Sequence, residues 1–135
     1  MTISRAEKDL QTLLRTIAPT LIEGSWAFAT VPKGKPVPPG LNPLMTYREE
    51  EGVTLLLEEK ELAKSGLQHA FFCRGISLSV NPSLYAVGLL ATVSEVLAKA
   101  AMSINIVSAF HRDYIFVPAA RAEEAIGLLK KLAKK

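Results

Sequence analysis

The stretch "SINIVSAFHRDYIFVPAARAEEAIGLL", Ser103–Leu129, decides the fold. Ile104 and Ile106 alternate with Asn105 and Val107, the period of two that a half-buried strand shows. His111, Arg112 and Asp113 are polar and read as a turn. Tyr114–Val117 is β-branched and aromatic, which suits a second strand. Pro118 breaks the pattern. Ala122, Ala125, Ile126 and Leu129, with Leu132 beyond, then fall on one face of a helix. Strand, turn, strand, helix is the second half of a β-α-β-β-α-β unit.

The first half of that unit precedes it. "HAFFCRGISLSV", His69–Val80, reads as a long strand with a bend or bulge at Gly75. "NPSLYAVG" is a turn. Ala86, Leu90, Val93, Leu97, Ala100 and Ala101 then line one helix face. One strand is missing after the last helix, and its exposed sheet edge predicts pairing with a second copy, a homodimer.

Upstream, Ser4 and Glu7 form a capping box, with Leu10, Leu13, Leu14 and Ile17 at helical spacing until Pro19. Leu21–Val31 reads as one strand. "PKGKPVPPGLNP" holds five of the eight prolines and reads as an exposed loop. Leu44–Arg48 and Val53–Leu57 form a hairpin around Glu49, Glu50 and Glu51, a solvated turn. A short helix, Glu59–Lys64, ends at Ser65-Gly66. This hairpin mirrors the later one, which suggests two related halves. The fold class is α+β: two ferredoxin-like modules sharing antiparallel sheet, residues 1–67 with a leading helix and residues 68–135, the first degenerate.

Composition bounds the chemistry. The chain has 135 residues, 49% hydrophobic and with a formal charge of +3, enough for a buried core without staples. Lys130, Lys131, Lys134 and Lys135 complement a helix C-terminus and need no nucleic acid or membrane partner. No apolar run reaches the length of a membrane span, the N-terminal stretch lacks a signal-peptide centre, and Cys73 is alone. The expected location is the cytoplasm.

His-Arg-Asp also opens the kinase catalytic loop, but that loop needs an Asn five residues on, where this chain has Pro118. No G-x-x-x-x-G-K-[ST] is present. His69 and His111 are far apart, and no Cys cluster accompanies them. Ser108, His111 and Asp113 share one hairpin, without a nucleophile elbow. The aromatic RNA-recognition strand is absent. The sequence therefore predicts no enzyme, no metal and no cofactor.

The segments "REEEGVTLLL", "SLYAVGLLA", "INI", "DYIFVP" and "EEAIGLL", in this order, resemble the ACT domain, the small regulatory module of amino-acid metabolism. More narrowly, they resemble an uncharacterised bacterial family of paired ACT-like modules, similar to aspartokinase regulatory regions. The resemblance covers about residues 10–132. It implies a ligand-responsive regulatory protein that binds an amino acid or similar small molecule where modules meet and acts through a regulated partner or through self-association. The alternative is a structural or interaction module that has lost its ligand. The ligand loop would be Asn81–Gly88, with Asn81, Ser83, Val87, Gly88 and Leu89 around the helix N-terminus. Free N–H groups there suit a carboxylate. Asn105 would add an amide and Asp113 would face an ammonium. Two departures bear on ligand choice. Asn81-Pro82 stands where relatives carry His-Ser. Phe110-His111-Arg112-Asp113-Tyr114 stands where they carry Tyr-Tyr-His-Asp-His.

Overall fold

The computed structural model describes residues 14–78 and 88–134. The capping box at Ser4 and Glu7, Leu10 and Leu13, and the loop residues Asn81, Ser83 and Val87 lie outside them. Among the described residues the strands are β1 (Pro19–Leu21), β2 (Trp26–Pro32), β3 (Met45–Arg48), β4 (Gly52–Glu58), β5 (Gln68–Leu78), β6 (Asn105–Ser108) and β7 (Asp113–Pro118). Residues 14–16 are helical, and the helices described from end to end are α1 (Glu59–Ser65), α2 (Leu89–Lys99) and α3 (Ala122–Lys134), the last preceded by a 3₁₀ turn at Ala119–Arg121.

Packing interleaves the chain. The described residues up to Ile22 pack with those from Gly75 onward, and Glu23–Arg74 form the other compact unit. Strand β5 passes from one unit into the other.

In the unit Glu23–Arg74 the strand order is β3-β4-β2-β5. Ala27, Ala29 and Val31 alternate along β2 and face inward with Leu55 and Leu57 of β4, as period-two geometry requires. Leu62 of α1 closes this core, with Leu41, Val53 and Leu67 packed against it. Helix α1 ends at Gly66, whose φ of 67° is left-handed, a conformation glycine adopts without a steric penalty. A ferredoxin-like module would carry a helix between its first two strands. Here residues 33–44, without helix or strand, connect β2 to β3, because prolines at 36, 38, 39 and 43 cannot donate to a helical ladder. This is the physical content of the module's degeneracy.

In the other unit the order is β1-β5-β7-β6, with α2 packed against α3. The strand missing after α3 is present. It is β1, from the other end of the chain, antiparallel to β5 with Pro19 opposite Leu78 and Leu21 opposite Ile76. The edge that motivated dimer formation in the sequence is therefore filled from within. Ile17, just ahead of β1, is 4% exposed and sits in one core with Ile76, Leu78, Val93, Leu97, Ile115 and Leu129.

Three expectations are corrected. Leu21–Val31 is not one strand: Gly24, at a φ of 103°, turns the chain between β1 and β2. The irregularity of β5 lies at Phe71, with a φ of 62° beside a register shift against β2, and not at Gly75. Gly75 is needed for space, since a Cβ there would meet the Phe116 ring at 3.0 Å and Ile22 at 3.1 Å. In α2 the buried face is Leu89, Val93 and Leu97. Leu90 is half-buried and Ala101 lies beyond the helix in a left-handed conformation.

Cys73 is fully buried, its thiol 3.5 Å from the Trp26 carbonyl. Loss of hydration pushes the thiol from 9.0 up to about 11, because burial disfavours the thiolate. The folded value lies above the unfolded one, so the stabilising contribution is whole below about pH 9 and is lost as pH rises through about 11. Urea melts are expected to show that decline, and Cys73→Ala to flatten it. Iodoacetamide should label Cys73 only on unfolding.

Candidate functional site

Helix α2 has two unlike ends. Its C-terminus is held by backbone and side-chain bonds. The Ala100 N–H donates to Leu97, Ala101 to Ala98 and Met102 to Leu97. The Arg121 guanidinium donates to the Ala100 carbonyl at 2.8 Å and the Ala101 carbonyl at 3.0 Å. Arg121 is held in turn by Glu124 through contacts of 3.0 and 2.8 Å. That hydrogen bond raises the Arg121 pKa and lowers that of Glu124. A cation at a helix C-terminus also meets the negative end of the dipole. The sequence reading missed this clamp; its signal was Arg-x-x-Glu at the start of α3.

The N-terminus of α2 has no side-chain cap and no acid in its first turn. Gly88 occupies the cap position at φ 95°, ψ −23°, where a side chain would be strained. Its carbonyl accepts the Thr92 N–H at 3.0 Å and the Thr92 hydroxyl at 2.9 Å. Leu89 is 2% exposed and anchors the first turn in the core. First-turn N–H groups have no acceptor inside a helix, so among the described residues this end offers donors and the positive end of the dipole.

Asp113 opens β7, paired with Ser108 and 5% exposed. Asn105 is exposed and pairs with Phe116 at the other end of the β6–β7 ladder. Three residue steps separate Asn105 from Ser108, about 10 Å, so the hairpin does not bring Asn105 and Asp113 together. The turn between them is closed by the Ala109 N–H donating to Arg112. The ring of His111 meets that of Phe110 edge-on at 5.0 Å. His69 lies on β5, its Nδ1 3.2 Å from the Leu67 carbonyl. Among the described residues no group of three or more His, Cys, Asp and Glu could hold a metal ion. No described helix is long and apolar enough to cross a membrane.

Comparison with known proteins gives two family matches, each an ACT domain, over residues 5–74 and 71–131. No curated protein matches the chain. Among solved structures, a Vibrio cholerae protein of unknown function, described as a possible transport protein, is 34% identical with a TM-score of 0.85, over 95% of this chain and 98% of that one. An Agrobacterium tumefaciens protein is 16% identical with a TM-score of 0.73, over 87% and 89%. The regulatory subunit of aspartate kinase from Thermus thermophilus, in ligand-free form, is 14% identical with a TM-score of 0.61, over 87% and 97%. Two matched modules that together take in all but the ends of the sequence, on a fold shared with a regulatory subunit, place this chain in the ACT domain family as a paired-module protein.

Proposed function

We propose that this protein is a ligand-responsive regulator that binds an amino acid or a close relative at the N-terminus of α2 and carries no catalysis of its own. One observation carries the reading: the glycine-initiated start of α2, with no side-chain cap or first-turn acid among the described residues, on a helix whose other end is tied by Arg121. The carboxylate would meet the N–H groups around Gly88 and Leu89, and the ammonium would lie toward Asp113. ACT modules are regulatory, and the aspartate kinase regulatory subunit shares the fold. The working compartment in this reading is the cytoplasm, and the output passes to a regulated partner protein.

A thermal-shift screen against the twenty amino acids tests it. At ligand a hundredfold above Kd, binding to the folded state alone adds about 2.7 kcal/mol. That raises Tm by several degrees for a domain of this size. Asp113→Ala should weaken the shift with circular dichroism unchanged. Gly88→Val should abolish it; Gly88→Asn, which tolerates left-handed angles better, separates lost binding from lost folding. If no amino acid moves Tm at millimolar concentration, the structural-module alternative replaces this reading.

Self-association is part of the proposal. Strand β6 ends the strand order of its unit, and Ile106 and Val107 are half-buried there without a Pro or Lys to block pairing. Light scattering at high micromolar concentration should give twice the 14.7 kDa chain mass, and a monomer would refute it.

A further inference from the structure

We infer that the unit Glu23–Arg74 is closed to an external carboxylate because it supplies its own, Glu61. The inference rests on the proposal above that the chain takes a carboxylate-bearing ligand, and it deepens that proposal by limiting which module takes it. The connection from β2 to β3, residues 33–44, runs where a ferredoxin-like module would start its first helix. Eight of its twelve residues either lack an N–H or already donate it. Pro36, Pro38, Pro39 and Pro43 have no N–H. The Lys33 N–H donates to the backbone carbonyl of Glu51, Lys35 to that of Pro32 and Leu44 to that of Leu56. The Asn42 N–H donates at 2.9 Å to Oε2 of Glu61. Glu61 is a helix residue only 6% exposed, and a carboxylate so placed needs donors to offset its lost hydration. Leu41, next to Asn42, packs on the core that Leu62, next to Glu61, closes. Backbone N–H, internal carboxylate and flanking leucines thus form a filled counterpart of an anion site. The α2 start has no such internal acid. The chain should therefore bind one ligand, in the module that contains α2.

The test has two arms. In the first, calorimetric titration of the wild type with each of the twenty amino acids gives the number bound per chain. In the second, Glu61→Ala and Glu61→Gln are melted in sodium acetate and in sodium chloride of equal ionic strength. Expected are one site per chain, a lowered Tm for Glu61→Ala that acetate raises and chloride does not, and a Glu61→Gln protein near wild type and indifferent to acetate, since its amide oxygen still accepts from Asn42. Two sites per chain, or a Glu61→Ala protein that acetate does not help, overturn the inference. Should Glu61→Ala fail to fold, a Glu61→Gln protein that gains a second site overturns it, and one that keeps a single site supports it. No binding by any amino acid, with acetate rescue intact, sinks the proposed function and leaves Glu61 as the filled site's own acid.

Discussion

Replacing Ile17 with Asp is expected to unfold the unit built around α2 and α3, although Ile17 lies far from both in sequence. Ile17 is 4% exposed and shares a core with Val93, Leu97, Ile115 and Leu129. Removing its apolar side chain costs about 2–5 kcal/mol, and an unpaired buried charge adds to that, against a typical total of about 5–15 kcal/mol. The same logic predicts that a fragment of residues 68–135 does not fold alone. It would lack Ile17 and β1, leaving the β5 edge at Ile76–Leu78 without the partner it has in the whole chain. Hydrogen exchange on Ile17→Asp should show lost protection in α2, β6, β7 and α3. A fragment of residues 68–135 that melts cooperatively at the full chain's temperature would contradict the interleaved arrangement.

Gly52→Ala should be nearly as damaging. Gly52 sits at a φ of 151°, and a Cβ there would lie 2.1 Å from the Val31 carbonyl oxygen and 3.2 Å from the Lys33 nitrogen. Both are backbone atoms and cannot swing away. The Glu49 N–H donates to the Gly52 carbonyl at 2.8 Å, so the turn cannot open without losing that bond. Strain and overpacking together are expected to cost about 3 kcal/mol or more. Urea melting that shows Gly52→Ala within about 0.5 kcal/mol of wild type, the range of ordinary surface changes, would refute this.

The sequence made the C-terminal elements legible because their patterns agree with their environment. The inward face of α3 was readable residue by residue, since Ala122, Ala125, Ile126, Leu129 and Leu132 keep helical period and all are buried. The hairpin Met45–Glu58 was readable from the Glu-Glu-Gly turn between its two strands, not from alternation, since Leu55, Leu56 and Leu57 are all buried. The placement of β1 was not. Three residues, Pro19–Leu21, carry too short a pattern to show a strand. Nothing local tells that they fill an edge opposite residues 76–78. Gly24 was hidden because Trp26, Phe28, Thr30 and Val31, all strand formers, make Leu21–Val31 read as one strand. The position of Gly88 at the start of α2 was legible because a glycine before a helix is a local signal. The separation of Asn105 from Asp113 was not, since both lie near the same turn in sequence and only the β6–β7 register puts them at opposite ends. Glu61 and Arg121 were missed because each acts on backbone atoms about twenty residues away.

The most direct measurement is a ¹⁵N–¹H correlation spectrum of the labelled protein, titrated with the amino acid that raises Tm most. Saturable shifts should concentrate at the amides of Gly88, Leu89, Leu90 and Ala91 and at Asp113, with the Lys33–Leu44 amides unmoved. A spectrum that no amino acid perturbs, or shifts centred on residues 33–44, would contradict a ligand seat at the start of α2.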